Sequence, residues 1–150
     1  QVDQFIFSSS ILVHKPCTPG KPINEEWEIQ AKWDYPQSKV ETEALLMREH
    51  GDIPLLILRI AGVYDDRCNS IPLSHQAQRI FENKLTAHVF PGDINCGQAF
   101  VHLDDCVNAF RLAIEKRKVL PPELVLLIGE DKTFTYDQLQ REFAQLIHQD

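Results

Sequence analysis

Glycine is scarce in this chain: there are six in 150 residues, at positions 20, 51, 62, 92, 97 and 129, and no two lie two or three residues apart. A Gly-x-Gly-x-x-Gly turn, whose backbone amides and following helix N-terminus receive a dinucleotide's pyrophosphate, is therefore absent from the sequence. Positive charge is also short. The 15 Lys and Arg face 22 Asp and Glu, a formal net charge of −7, which argues against nucleic acid because a phosphate backbone needs a clustered basic surface. The one basic run, Lys116-Arg117-Lys118, reads as the cationic end of a helix. No long hydrophobic run exists either. The longest, Ile53 to Val63, is interrupted by Pro54 and Arg59 and falls well short of the ~20 residues that span a bilayer. Four cysteines at 17, 68, 96 and 106 are spaced too irregularly for a metal knuckle and read as free thiols of a reducing cytoplasm.

What is present is ordinary for a globular domain, with 43% hydrophobic and 25% charged residues. Strand-like and helix-like segments alternate, the pattern of an α/β fold with a parallel sheet and covering helices. Val2 to Phe7 and the apolar run Leu55 to Ile60 read as buried strands. Cys17 to Asn24, with two prolines and a glycine, reads as a loop. Asp34 with Gln37 predicts a capped helix from Tyr35 to about Glu49, with Val40, Ala44 and Met47 inside and Gly51 beyond its end. A second helix is expected over Ser74 to Leu85, with Ala77, Ile80 and Phe81 on one side, and a third opens at Asp104 and Asp105. Leu124 to Ile128 reads as a strand closed by Gly129. Thr135 and Gln138 make a capping box for a helix with Leu139, Phe143, Leu146 and Ile147 inside.

One constellation carries chemistry. Tyr35 and Lys39 are i and i+4 and share a helix face, and Ser8-Ser9-Ser10 ends the first strand 25 positions before the tyrosine. A free phenol ionises near ~10, too high for acid–base work at neutral pH, and a neighbouring cation favours its ionised form. A serine hydroxyl that donates to a carbonyl oxygen completes the parts of a hydride-transfer site. Ser10 is the expected donor, with Ser9 as the alternative.

Five blocks in order strengthen this reading: Phe5 to Ser10, Pro22 to Glu25, Tyr35 to Lys39 with Glu43 four residues on, Leu58 to Tyr64, and Phe100 to Asp105. In them the chain resembles the NAD-dependent epimerase/dehydratase family of the extended short-chain dehydrogenase/reductase superfamily. The resemblance implies a Rossmann-type fold, a bound NAD or NADP, and a catalytic trio of Ser10, Tyr35 and Lys39. Cofactor contacts are implied at Ser8, Ser9, Tyr35, Lys39, Ile60 and Ala61. It further implies a small-molecule substrate, a sugar derivative being one option, and a homodimer through the Tyr35–Lys39 helix. Residues 1–63 then correspond to the end of the cofactor domain, and 64–150 mostly to a substrate-side region with a returning strand and helix. Because the Gly-rich turn is missing, the chain reads as the C-terminal part of a longer enzyme and is expected to be inactive alone. The rival readings are a non-catalytic binding member and a truncated remnant.

The family pattern is not followed everywhere. Members acting on nucleoside-diphosphate sugars carry an asparagine and a diphosphate-clamping arginine where this chain has Gly62 and Gln98. A neutral amide does not replace a bidentate guanidinium, and Asp65-Asp66 would repel a diphosphate. The usual Tyr-Gly after the serines is His14-Lys15. His102, among Phe100, Val101 and Leu103, reads as a buried, hydrogen-bonded histidine rather than an acid–base group. Asp104 and Asp105 read as helix-start residues rather than metal ligands, and Arg59 as a structural cation seeking a carboxylate or carbonyls.

Overall fold

The computed structural model of the chain describes residues 2–89 and 92–147. Three parallel strands form its centre in the order β1 (Phe5–Ser10), β2 (Leu55–Ile60), β5 (Glu123–Ile128). β2 is the middle strand and its Leu55, Leu56, Ile57 and Leu58 are completely enclosed, as a strand covered on both faces must be. Alternation along β2 divides its side chains between two layers. Leu56 and Leu58 pack with Ala113 and Phe110 of α3 (Leu103–Glu115), while Arg59 points to α1 (Asp34–Glu49) on the opposite face. Two further short parallel strands, β3 (Gly62–Tyr64) and β4 (Phe100–His102), pair beyond the sheet, and α2 (Ile71–Phe81) packs against α4 (Tyr136–Ile147).

Several expected elements are shifted, each for an identifiable reason. β1 starts at Phe5 rather than Val2 and contains all three serines, because Ser8, Ser9 and Ser10 pair with Leu58, Arg59 and Ile60 of β2. Pairing with a central strand outweighs the poor strand preference of serine. Asp34 is helical instead of capping: Trp33 holds the cap position without a side-chain bond, and the Gln37 amide reaches forward to Glu41 at 3.0 Å. On α1 the inward residue is Glu43, not Ala44, which is exposed. Apolar periodicity could not find a buried charge. α2 begins earlier, after Ser70 with Pro72 in its first turn, a position proline tolerates well. Its Phe81 is exposed, as is Leu146 of α4. The second capping box forms as expected: the Thr135 amide donates to Gln138 Oε1 at 3.0 Å and the Gln138 amide to Thr135 Oγ1 at 3.1 Å.

A buried polar knot fastens β1, β2 and α1. Arg59 Nε donates to Glu43 Oε1 at 3.1 Å and Nη2 to Oε2 at 2.6 Å, a fork-to-fork pair with both side chains 9% exposed. Ser9 Oγ donates to the same carboxylate at 2.5 Å. Arg59 Nη1 donates to the Glu25 carbonyl and to His14 Nε2, each at 3.1 Å. Removing one partner of a buried pair strands the other charge, which typically costs ~3–5 kcal/mol. Arg59→Met is therefore expected to lower unfolding stability by about that amount in urea melts. A variant as stable as the wild type would show that the knot does not hold the sheet to α1.

Candidate active site

The three central strands end abreast, with Ser10, Ile60 and Ile128 in register at their carboxyl ends. In open parallel sheets ligands bind beyond that end. β1 delivers Ser10 there, where its hydroxyl oxygen accepts from the Leu12 amide at 3.2 Å and caps a short 3-10 turn. The serine is buried, but accepting that bond leaves its own O–H free to donate. α1 delivers Tyr35 and Lys39. The tyrosine is about half exposed, at 48%. Lys39 Nζ donates to the Ser8 carbonyl at 2.9 Å and lies 5.7 Å from the Tyr35 ring centre and 5.0 Å from that of Phe7. One lysine thus connects the end of β1 to the tyrosine's helix, and it retains two further donors.

The loop between Ser10 and Tyr35 is anchored at both ends of its span. The Lys15 amide donates to the Glu28 carbonyl and the Gln30 amide to the Val13 carbonyl, giving a short antiparallel pairing. Glu25 Oε1 accepts the Leu127 amide at 3.0 Å, which ties the loop to β5 and holds the Glu25 carboxyl below its usual range. Beside this loop lies a cleft of about 860 Å³, bounded by Leu12, Cys17 and Trp33 on one side and Cys96, Gln98 and Glu130 on the other. A second cavity of about 760 Å³ between α2 and α4 shares Gln98 and Tyr136 with it.

Two of the departures from the family pattern, Gly62 and Gln98, are neighbours. A Cβ at Gly62 would meet the Phe100 ring at 3.0 Å and Gln98 Nε2 at 3.3 Å, so the Gln98 and Phe100 side chains already crowd that position. Nearby, Tyr64 donates to Glu130 at 2.6 Å; that bond, with burial and surrounding carboxylates, pushes its phenol up to about 12. His102 bonds Asp66 at 3.2 Å and accepts the Asp104 amide at 3.3 Å, serving as the cap of α3. Among the described residues no group of three or more His, Cys, Asp or Glu could hold a metal, and no helix is long and apolar enough to cross a membrane.

The model of the NAD dependent epimerase/dehydratase family matches residues 1–129. The chain belongs to that family. Solved structures with the same fold include the UDP-glucose 4-epimerase of Thermotoga maritima with UDP-glucose (27% identity, TM-score 0.75, covering 99% of this chain and 48% of that one). Two NAD complexes are also similar. The UDP-glucose 4-epimerase of Thermus thermophilus shows 21% identity and a TM-score of 0.70 over 97% of this chain and 48% of that one. The dTDP-glucose 4,6-dehydratase of Bacillus anthracis shows 17% identity and a TM-score of 0.74 over 96% and 46%. The chain spans about half the length of these structures. No match to a curated protein reaches significance.

Within this family the fit of a dinucleotide can be judged end by end. The nicotinamide–ribose end has a matching donor set in Lys39, with two N–H groups unspent, and Tyr35 beside it. No Gly-x-Gly-x-x-Gly turn for the pyrophosphate end is present in the sequence, since no two glycines lie two or three residues apart. Ile60 and Ala61 lie where β2 ends, but the Ala61 side chain is buried with Val101 and Cys106, and its amide donates to the Ile128 carbonyl. Ser9 has its hydroxyl committed to Glu43, and Ser8 contributes its carbonyl to Lys39. Arg59 finds the carboxylate and carbonyl expected of it, in Glu43 and Glu25; that His14 joins them, and that Glu43 is the carboxylate, was not foreseen in the sequence.

Burial lowers the His14 pKa from its ordinary 6.5; the Trp27 carbonyl, which accepts from Nδ1 at 2.9 Å, opposes this, and the Arg59 cation adds to the lowering. Nε2 is then the acceptor for Arg59, and protonating it would set two cations together. The unfolded chain takes up this proton at higher pH than the folded one, so stability is full above about pH 6.5 and is lost as pH falls through the lowered folded value. Urea midpoints measured between about pH 7 and about pH 5.5 are expected to fall more steeply for the wild type than for His14→Gln. Equal slopes would contradict the neutral, Arg59-bonded histidine.

Proposed function

We propose that this chain carries the catalytic half of an NAD(P)-dependent oxidoreductase of the epimerase/dehydratase type, acting at a carbinol or ketone carbon of a small molecule. The observation that carries the reading is Lys39, bonded to the carbonyl of Ser8 in β1 while its ammonium lies over the ring of Tyr35. Tyr35 is the acid–base group: its exposed phenol gives up a proton to the substrate oxygen on reduction and takes one on oxidation. Lys39 holds its ammonium beside the Tyr35 ring and offers its remaining donors to the cofactor's ribose. Ser10 donates its hydroxyl to the reacting oxygen, and Glu43's hold on the Ser9 hydroxyl favours Ser10 over its neighbour for that role. The nicotinamide, when bound, supplies or accepts the hydride.

The rest of the site bears on substrate choice. The cleft beside the Ser10–Tyr35 loop and the cavity between α2 and α4 meet at Gln98, which supports a ligand extending from the reacting carbon toward α2. The neutral Gln98 and the Glu130 carboxylate that lines the same cleft disfavour a diphosphate there, and a neutral polar substrate such as an unphosphorylated sugar derivative suits it better. Homodimerisation through α1 is part of the same proposal, with Leu45 and Tyr35 exposed on that helix.

Tyr35→Phe deletes the transferable proton with almost no change in shape. In the protein with its complete dinucleotide site it is expected to lower kcat by ~10²-fold or more while leaving cofactor affinity nearly unchanged. Lys39→Met is expected to weaken both. Steady-state kinetics and cofactor titration read these quantities, and near-normal turnover by Tyr35→Phe would remove the catalytic reading in favour of a binding role.

A further inference from the structure

We propose that Cys17 and Cys96 form a reversible disulfide that staples the Ser10–Tyr35 loop to the segment entering β4 across the mouth of the large cleft. The two residues are 79 positions apart, yet Cys96 Sγ lies 3.6 Å from the Cys17 carbonyl oxygen. Given ordinary backbone dimensions, that sulfur is no more than about 6 Å from Cys17 Cα. The Cys96 thiol thus sits against the Cys17 backbone, and the S–S bond, which needs Cα atoms ~4.4–6.8 Å apart, forms when the Cys17 side chain turns toward it and the loop carrying Cys17 shifts. Both thiols are free and partly exposed, and both line the cleft.

The two walls differ in how firmly they are held. The Cys96 side is fixed: its carbonyl accepts the Tyr136 amide at 2.9 Å, and the Asp137 amide donates to the Ile94 carbonyl at 3.2 Å. Gly97 presses so closely on Phe134 that a Cβ there would overlap its carbonyl. The Cys17 side carries Pro16, Pro19 and Pro22 and, from Cys17 to Pro22, a single backbone bond among the described residues, the Lys21 amide to the Thr18 carbonyl. The staple would therefore immobilise the looser wall on the rigid one. The other two cysteines are built-in controls. Cys68 lies in a separate turn, and Cys106 is buried in α3 against Ala61 and Val101.

Hydrogen peroxide is a sufficient oxidant. The Cys17 thiol attacks one peroxide oxygen, breaking the O–O bond and releasing water, and becomes a sulfenic acid. The Cys96 thiol then displaces its hydroxyl, forming the S–S bond and releasing a second water. Burial and the neighbouring Cys17 raise the Cys96 thiol, so less of it is thiolate at neutral pH and the first attack on peroxide is assigned to Cys17.

The test needs no turnover and is independent of the proposed function. The chain is treated with hydrogen peroxide, remaining thiols are blocked, and peptides are mapped without reduction. The expected result is loss of two of the four thiols, an intrachain Cys17–Cys96 peptide, and reversal by dithiothreitol. Closing so long a loop should also raise Tm by roughly 5 °C or more. Cys68→Ser with Cys106→Ala should leave the crosslink intact, and Cys17→Ser should abolish it. Sulfinic acids on Cys17 or Cys96 without a crosslink, or bridges joining separate chains instead, would overturn the proposal.

Discussion

Arg59 of β2 and Glu43 of α1 face each other as a buried ion pair, and the candidate site at the carboxyl ends of the strands is arranged around that pair. The carboxylate accepts two bonds from the guanidinium and one from Ser9, and the guanidinium also reaches His14 and the Glu25 carbonyl. β1, β2, α1 and the intervening loop are thereby held at one point. The next residue along β1 is Ser10, and one turn back from Glu43 on α1 is Lys39. Burying two opposite charges is costly unless their remaining hydrogen-bonding groups are also satisfied. Here both carboxylate oxygens and three guanidinium nitrogens have partners, so the arrangement contributes position as much as energy.

The same arrangement explains what could and could not be read along the chain. The parallel sheet was legible because Leu55 to Ile60 is continuously apolar, and the last helix because Thr135 and Gln138 form a local capping box. Both signals depend only on near neighbours. The serines within β1, the burial of Glu43 in place of Ala44 and the histidine bonded to Arg59 were not legible, because each follows from a partner 16 to 50 positions away. Exposure of Phe81 and Leu146 was equally hidden: periodicity places apolar residues on a stripe without saying how wide the covering surface is.

The candidate site divides in the same manner. Tyr35 and Lys39 were visible as an i, i+4 pair, and the structure adds the Ser8 carbonyl that steers the ammonium. The relation of Gly62 to Gln98 and Phe100 gives a physical meaning to two departures from the family pattern, since those side chains leave little space at Gly62.

The central claim is that Ser10 and Tyr35 act on one substrate oxygen as a unit. A double-substitution cycle on kcat, with Ser10→Ala, Tyr35→Phe and both together in the protein with its complete dinucleotide site, tests this most directly. The account predicts strong non-additivity, the double variant being hardly slower than Tyr35→Phe alone. Losses that multiply, as for two independent residues, would contradict it.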